Sequence, residues 1–465
     1  PMGDPRRDFL SKVLGSIEER ESRLLVWGIV DGAFQKAELD ELIYPLIDSA
    51  LEQGLTAFFN PDDVINELLD LKWLVEAELL DLSVGYRSRM AETVRLLQRL
   101  RQLFPKHTRQ SNGWQEAPTL VADFRFHRRR RQYPKRDLPA KEVLERIQSV
   151  TEDAAILTGV QALILDDAGN TRLSGFQVRA TERILRSIES GQALATIVTA
   201  GTGSGKTLAF YLPALASITR HLLAGDGSPW VKVVALYPRS ELLKDQLREV
   251  IRHADGLRKA VGKVSIRIGA LYGDVPEVAA RCYWPRQGKD YLCPSLKCIH
   301  CSGTMVWKES DHTQAIERLV CHDCSWTISD DTFPLTRKSL AAAPPDILFT
   351  TTEMLNQRLS DNELNRLFGI GAQAARPPEL VLLDEVHTYE GRHGAQVAFL
   401  LRRWQYLVDQ PLRFVGLSAT LREAASFFST LTGVWQTLVE EISPNREELE
   451  SEGAEYMVAL RGDPV

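Results

Sequence analysis

The 465-residue chain lacks any run approaching the roughly 20 consecutive apolar residues that a helix needs to cross a bilayer. Its first residues include Arg6 and Arg7 but no apolar segment with a cleavage site, so no secretory leader is read and a cytoplasmic location is expected. There is no internal repeat and no low-complexity tract. Cysteine is scarce: six residues, all between Cys282 and Cys324, which excludes a disulfide-stapled miniprotein. Neither sign of charge dominates, with 56 basic and 62 acidic side chains giving a net charge of −6. At 44% hydrophobic and 25% charged residues, the composition excludes a disordered or collagen-like chain. The length predicts about two to four domains.

The near balance of charge hides a local reversal. Between Arg87 and Asp137 lie Arg95, Arg99, Arg101, Lys106, Arg109, Arg125, the run Arg128 to Arg131, Lys135 and Arg136, against only Glu92, Glu116, Asp123 and Asp137. The segment from Glu440 to Glu455 is strongly acidic. Such asymmetry points to an anionic partner for one face, and nucleic acid is the commonest.

Residues 1–150 read as a mainly helical domain. Leu10, Val13, Leu14 and Ile17 share a helical face, and the spacing recurs in Glu38–Ile43 and Ala91–Leu97. A basic segment follows, then a helix near Pro139–Ser149. From about 151 the pattern becomes short β-branched strands alternating with helices: Thr196–Thr199, Val231–Leu236, Ile347–Phe349, Leu380–Leu383 and Phe414–Leu417. This predicts an α/β fold with a parallel sheet covered on both faces, its chemistry in loops at the strands' carboxyl ends.

Two such loops carry chemistry. Thr199-Ala-Gly201-Thr202-Gly203-Ser204-Gly205-Lys206-Thr207 follows a strand and precedes a helix, the context of a P-loop, with Ala200 where the general pattern has its first glycine. Its backbone N–H groups are expected to cradle phosphates, Lys206 to reach the β- and γ-phosphates and Thr207 to offer its hydroxyl to Mg²⁺. A glycine-rich turn that binds nothing is the bland alternative. The second loop ends Leu380-Val-Leu-Leu-Asp384-Glu385-Val-His387, where Asp384 would hold Mg²⁺ and Glu385 polarise the attacking water. An acidic pair after a strand is usually a solvated turn, but both halves in one chain and in this order predict ATP binding.

With these motifs in place, residues 170–465 resemble the first motor domain of superfamily 2 DExH-box helicases. Gly175-Phe-Gln177 resembles the Q motif, Tyr237-Pro-Arg239-Ser240-Glu-Leu242 motif Ia, and Thr350-Thr351-Thr352-Glu-Met-Leu355 motif Ib. Asp384-Glu385-Val-His387 resembles motif II and Ser418-Ala-Thr420 motif III. Thr352 departs from the proline common in relatives. Tyr272-Gly-Asp-Val-Pro276 with Arg281, and His387–Gly394 leading to Leu400–Arg403, are similar to bacterial DNA helicases of the MrfA/Hrq1-like group and to large phage-defence helicases of the Druantia and dpd type. The resemblance implies a RecA-like fold, with Gln177 reading adenine and Arg239, Ser240 and Thr351 contacting the nucleic-acid backbone. It also implies that His387, Ser418 and Thr420 couple the nucleotide site to strand movement. Exposed-loop or ordinary structural roles are the alternatives for these residues.

The cysteines fall as Cys298-x2-Cys301 and Cys321-x2-Cys324, the spacing of a zinc ribbon in which four thiolates close a structural Zn²⁺ site. Buried free thiols are the alternative, Cys293 is a rival ligand, and a mixed set with His300 or His322 remains open. Trp307, Trp326, Lys308, Arg318 and Arg337 nearby either contact nucleic acid or form the ribbon's own core. Phe124–Tyr133 interleaves arginines with aromatics, which suits single-stranded nucleic acid but equally a solvated linker.

The domain organisation expected is a helical domain over 1–150 with a basic C-terminal segment, a RecA-like motor domain over 151–440 with a zinc-ribbon insertion over 282–335, and an acidic linker over 441–465. The function expected is an ATP-dependent nucleic-acid helicase or translocase, DNA being favoured over RNA by the resemblance alone. The alternative is a non-motor DNA-binding or assembly subunit that uses ATP only as a switch. The family's second RecA-like domain, in the same or another chain, and defence-system proteins are the implied partners besides nucleic acid, with no membrane. Pro1 in place of a start methionine, and the short stretch after Thr420, suggest a fragment that binds ATP but hydrolyses it weakly.

Overall fold

A computed structural model describes residues 4–462 except 55–56, 80–82, 103–112, 114–115, 166–170, 202, 226–228, 372–375 and 420, and except the side chain of Glu452. The chain forms two compact units, one from residues 1–133 and 450–465 and the other from 134–449. No helix among the described residues is long and apolar enough to cross a membrane.

In the first unit, helices Pro5–Val26, Lys36–Glu52 and Pro61–Asp70 bury Phe9, Leu10, Val13, Ile17, Leu39, Ile43, Val64 and Leu68 in one core. The apolar periodicity of the sequence dictates these faces. Asp4 and Asn60 cap the first and third helices with side-chain oxygens. A hairpin pairs Leu74–Glu78 with Val84–Ser88. Two carboxylates are buried here. Glu21 accepts the Ser88 N–H at 2.7 Å and the Ser88 hydroxyl. Glu18 accepts the hydroxyl of Tyr456.

The basic stretch is a strand, Val121–Pro134, paired with Leu449–Gly462 in a two-stranded ribbon. Arg129 bonds Glu455 at 2.6 Å, Arg131 lies 3.9 Å from the same carboxylate, and Phe126 stacks on Tyr456. The acidic segment thus answers part of the basic one within the unit. The residues expected to form a linker over 441–465 instead contribute the end of one strand, Val439–Ile442, and all of another.

The second unit is built on seven parallel strands: β1 (Ala195–Thr199), β2 (Val233–Tyr237), β3 (Ile268–Leu271), β4 (Ile347–Thr351), β5 (Leu380–Leu383), β6 (Phe414–Ser418) and β7 (Val439–Ile442), in the order β7-β1-β6-β5-β2-β4-β3. Every residue of β1, β2, β3, β5 and β6 is buried. Successive side chains face opposite ways, so helices cover both faces, as expected for a RecA-like sheet. The helices that matter for the site are α1 (Gly175–Glu189), α2 (Lys206–Ala224), α3 (Ser240–Val261), α4 (Thr352–Arg358) and α5 (Gly391–Val408). Between β3 and β4 sits a five-stranded antiparallel sheet running from Arg286 to Ser329, inside the insertion expected over 282–335.

Candidate nucleotide and metal sites

The P-loop leaves β1 at Thr199 and enters α2 at Lys206. Gly203 and Gly205 take φ of +77° and +80°, the left-handed region that side chains avoid. Gly205's carbonyl accepts the N–H of Leu208 at 3.2 Å and the Nε2–H of Gln177 at 2.8 Å. The other end of that amide, Oε1, accepts the Ser174 N–H at 2.9 Å in a capping box at the start of α1. Gln177, expected to read adenine, here uses both ends of its amide to tie α1 to the P-loop.

Lys206 is only 9% exposed and has no ion-pair partner among the described residues. The Ser204 hydroxyl is buried without a hydrogen-bond partner among them. A buried cation and a buried hydroxyl left unpartnered are costly. A phosphate chain would satisfy both, so the loop fits a nucleotide. Gly201 is exposed and Thr207 half-buried on the first turn of α2, while Thr202 lies outside the described residues.

Asp384 follows β5 and is buried, and burial pushes its carboxyl up to about 6. The Glu385 N–H, 2.8 Å from Asp384 Oδ1, and the Lys206 charge pull the other way. Thr207 and Asp384 are hard oxygen donors of the kind Mg²⁺ takes, and a divalent cation would compensate the buried carboxylate. Glu385 has φ +49° and its Oε2 lies 3.3 Å from His387 Nδ1. That same nitrogen is 3.3 Å from Ser418 Oγ. Strand β6 lies between β1 and β5, so Ser418 reaches both loops: its carbonyl also accepts the Ala200 N–H at 3.2 Å. The geometry therefore joins motif II, motif III and the P-loop in one chain of contacts, which spacing in the sequence does not reveal. Thr420 lies outside the described residues.

Tyr389, which falls in the His387–Gly394 stretch of the resemblance but had no role assigned from sequence, lies beside Asp384 and Glu385. It is 1% exposed, its hydroxyl has no partner among the described residues, and burial and then the charges of Asp384 and Glu385 hold its phenol protonated.

Arg239 follows β2 and Thr351 ends the adjacent β4, Tyr237 pairing with Thr351, so both sit on the carboxyl edge of the sheet. Arg239 is exposed. Ser240 begins α3, its hydroxyl 3.2 Å from Glu241 Oε1. The Thr351 hydroxyl caps α4 by accepting the Met354 N–H at 3.2 Å. Thr352 is the first residue of α4, a position where proline is equally at home, so its departure from the family pattern leaves the turn intact.

In the insertion, the sulfurs of Cys298, Cys301, Cys321 and Cys324 lie within 4.8 Å of one another. The closest pairs are Cys298–Cys324 at 3.5 Å and Cys301–Cys321 at 3.4 Å. Four thiolates about 2.3 Å from one Zn²⁺ would stand roughly 3.8 Å apart, so the set fits. The two knuckles match each other. His300 N and Asp323 N each approach the first sulfur of their pair at 3.4 Å. Ser302 and Ser325, directly after the second cysteines, both have positive φ. Cys293 is buried with its sulfur 3.3 Å from Ser295 Oγ, outside the four-sulfur group, as are His300 and His322. Trp307 is fully buried against Trp284 and donates to the Ile316 carbonyl, so it is core. Lys308 and Arg318 pair with Asp290 and Asp311, and Arg337 donates to the Val275 carbonyl.

Comparison with known proteins agrees with this geometry. The DEAD/DEAH box helicase family matches residues 174–279 and 309–427, its gap falling in the insertion. Druantia protein DruE from Escherichia coli (strain UMEA 4076-1) is 25% identical over 56% of this chain and 17% of its own length. The Lhr helicase/probable uracil glycosylase of Mycolicibacterium smegmatis is 37% identical over 22% of this chain and 6% of its own. The chain thus matches less than a fifth of the length of these curated relatives. Among solved structures, the DUF1998 helicase MrfA bound to DNA and AMPPNP is similar at 18% identity and a TM-score of 0.42, covering 77% of this chain and 36% of that one. The P-loop, the Asp384–Glu385 pair and the matched segments together make this a chain that carries a DEAD/DEAH box helicase domain.

Proposed function

We propose that the chain binds Mg-ATP through Lys206, Thr207 and Asp384 and serves as the first motor lobe of an ATP-dependent helicase or translocase. The observation that carries this reading is the contact chain from Glu385 through His387 to Ser418 and on to Ala200. It joins the water-activating carboxylate to Ser418 and, through the Ser418 carbonyl, to the loop that would hold the phosphates. When bound, ATP supplies the phosphoryl group to be hydrolysed. The protein's own part is to hold the phosphates on Lys206, to place the cation on Asp384 and Thr207, and to present Glu385 to water. Arg239, Ser240 and Thr351 would meet the nucleic-acid backbone, contacts that fix position and carry no sequence information. DNA rather than RNA is favoured by the resemblance to the MrfA/Hrq1-like group, and the four-cysteine set would hold one structural Zn²⁺.

The test is the binding of single-stranded DNA and RNA by the full chain, with and without a non-hydrolysable ATP analogue and Mg²⁺, alongside Lys206→Ala. A motor lobe should bind with an affinity that changes with nucleotide in the parent and not in Lys206→Ala. Arg239→Ala should weaken binding and lower the salt slope by about 1. Nucleotide-independent binding in the parent would point instead to a passive nucleic-acid-binding module.

A further inference from the structure

Resting on the ATP reading above, we propose that Arg136 belongs to the nucleotide site and lays its guanidinium plane against the adenine ring. A Cβ built on Gly205 would stand 2.8 Å from Gln177 Nε2, 3.0 Å from Arg136 Nη2 and 3.8 Å from Arg136 Cζ. The guanidinium therefore touches the P-loop at the residue before Lys206, beside the amide that ties that loop to α1.

Its placement is built by its neighbours. The Lys135 N–H donates to the Glu448 carbonyl at 2.7 Å, and Lys135 Nζ to the Glu447 carbonyl at 3.0 Å. On the other side, Arg172 donates to the Asp137 carbonyl at 3.0 Å, and Leu138 pairs with Leu173, directly before the Ser174 cap of α1. Arg136 is thus pinned between two anchored residues. Yet its own side chain is exposed and, among the described residues, has neither an ion-pair nor a hydrogen-bond partner.

The side of the loop decides which part of the nucleotide it meets. Phosphates are cradled by N–H groups. Gly205 turns its carbonyl to Gln177, so Gln177 and Arg136 stand outside the amide cradle, on the side that the proposal gives to base and ribose. A planar guanidinium stacks on an aromatic face as an ammonium cannot.

The experiment is calorimetric titration of the full chain and of Arg136→Ala, Arg136→Lys and Lys206→Ala with Mg-ATP and with inorganic tripolyphosphate. Arg136→Ala should bind ATP about tenfold more weakly and leave tripolyphosphate affinity unchanged, and Arg136→Lys should not restore the loss. Equal weakening of both ligands, or rescue by lysine, would replace the stacking contact by a phosphate contact and overturn the proposal. Parent-like ATP affinity in Arg136→Ala, with Lys206→Ala impaired, would overturn it alone. ATP binding absent from the parent, or untouched in Lys206→Ala, would sink the P-loop reading and this inference with it.

Discussion

Replacing Tyr389 by phenylalanine removes one enclosed oxygen beside Asp384 and Glu385. That oxygen is buried and has no hydrogen-bond partner among the described residues. An unsatisfied buried hydroxyl costs about 1–3 kcal/mol, and phenylalanine keeps the ring and its packing against His393. Tyr389→Phe should therefore stabilise the apo protein by about 1 kcal/mol or more, a rise in Tm of roughly 1.5 °C for each kcal/mol in a unit of this size. Thermal unfolding followed by circular dichroism, without nucleotide, reads this directly. The gain should shrink in saturating Mg-ATP if the hydroxyl then donates to the cation's shell beside Asp384. A variant destabilised by more than about 1 kcal/mol without nucleotide would mean that the hydroxyl already has a partner, and the reasoning would be refuted.

Three further outcomes are expected. Burial pushes Glu21 from 4.5 up to about 7, so its proton is held more tightly in the folded protein; the resulting stability is full below pH 4.5 and is lost as pH rises through 7. Glu21→Gln should flatten the fall in Tm between pH 5 and 8, and an unchanged slope would exclude this group as its source. Elemental analysis should find one zinc per chain, lost in a Cys298→Ser/Cys321→Ser variant that keeps the P-loop's nucleotide affinity; a metal-free parent would refute the thiolate site. Ser418→Ala removes the hydroxyl facing His387 and should leave ATP affinity within about twofold while lowering nucleic-acid-stimulated turnover roughly fivefold, the value of one hydrogen bond. Equal turnover in steady-state assays would detach Ser418 from coupling.

The parallel strands were legible because burial on both faces forces near-continuous apolar runs, as in Val233–Tyr237 and Leu380–Leu383. The P-loop and the cysteine knuckles were legible because their chemistry needs fixed residue types at fixed spacing. Two strands escaped. Ile268–Leu271 is only four residues long with a glycine inside. Val439–Ile442 carries two exposed glutamates on the sheet's edge, one of them 2.6 Å from the Thr199 hydroxyl. The strand Val121–Pro134 hid behind its arginines, whose charge reads as solvated linker until Glu455 is brought alongside. Gln177's bond to Gly205 and the approach of Arg136 to the same residue arise only when distant segments meet, so no local pattern announces them.

The ribbon of Val121–Pro134 with Leu449–Gly462 also bears on biosynthesis. As the ribosome releases the chain from its N-terminus, residues 121–134 emerge long before their partner, and the whole of 135–448 must be made in between. An unpaired strand is a template for aggregation during that wait. Arg125 and the run Arg128 to Arg131 make this strand a poor template, because a second copy would bring like charges face to face. Glu455 then arrives with the complementary sign and closes the ribbon. The same arginines that disguise the strand in the sequence therefore act as its guard until translation has passed the helicase domain.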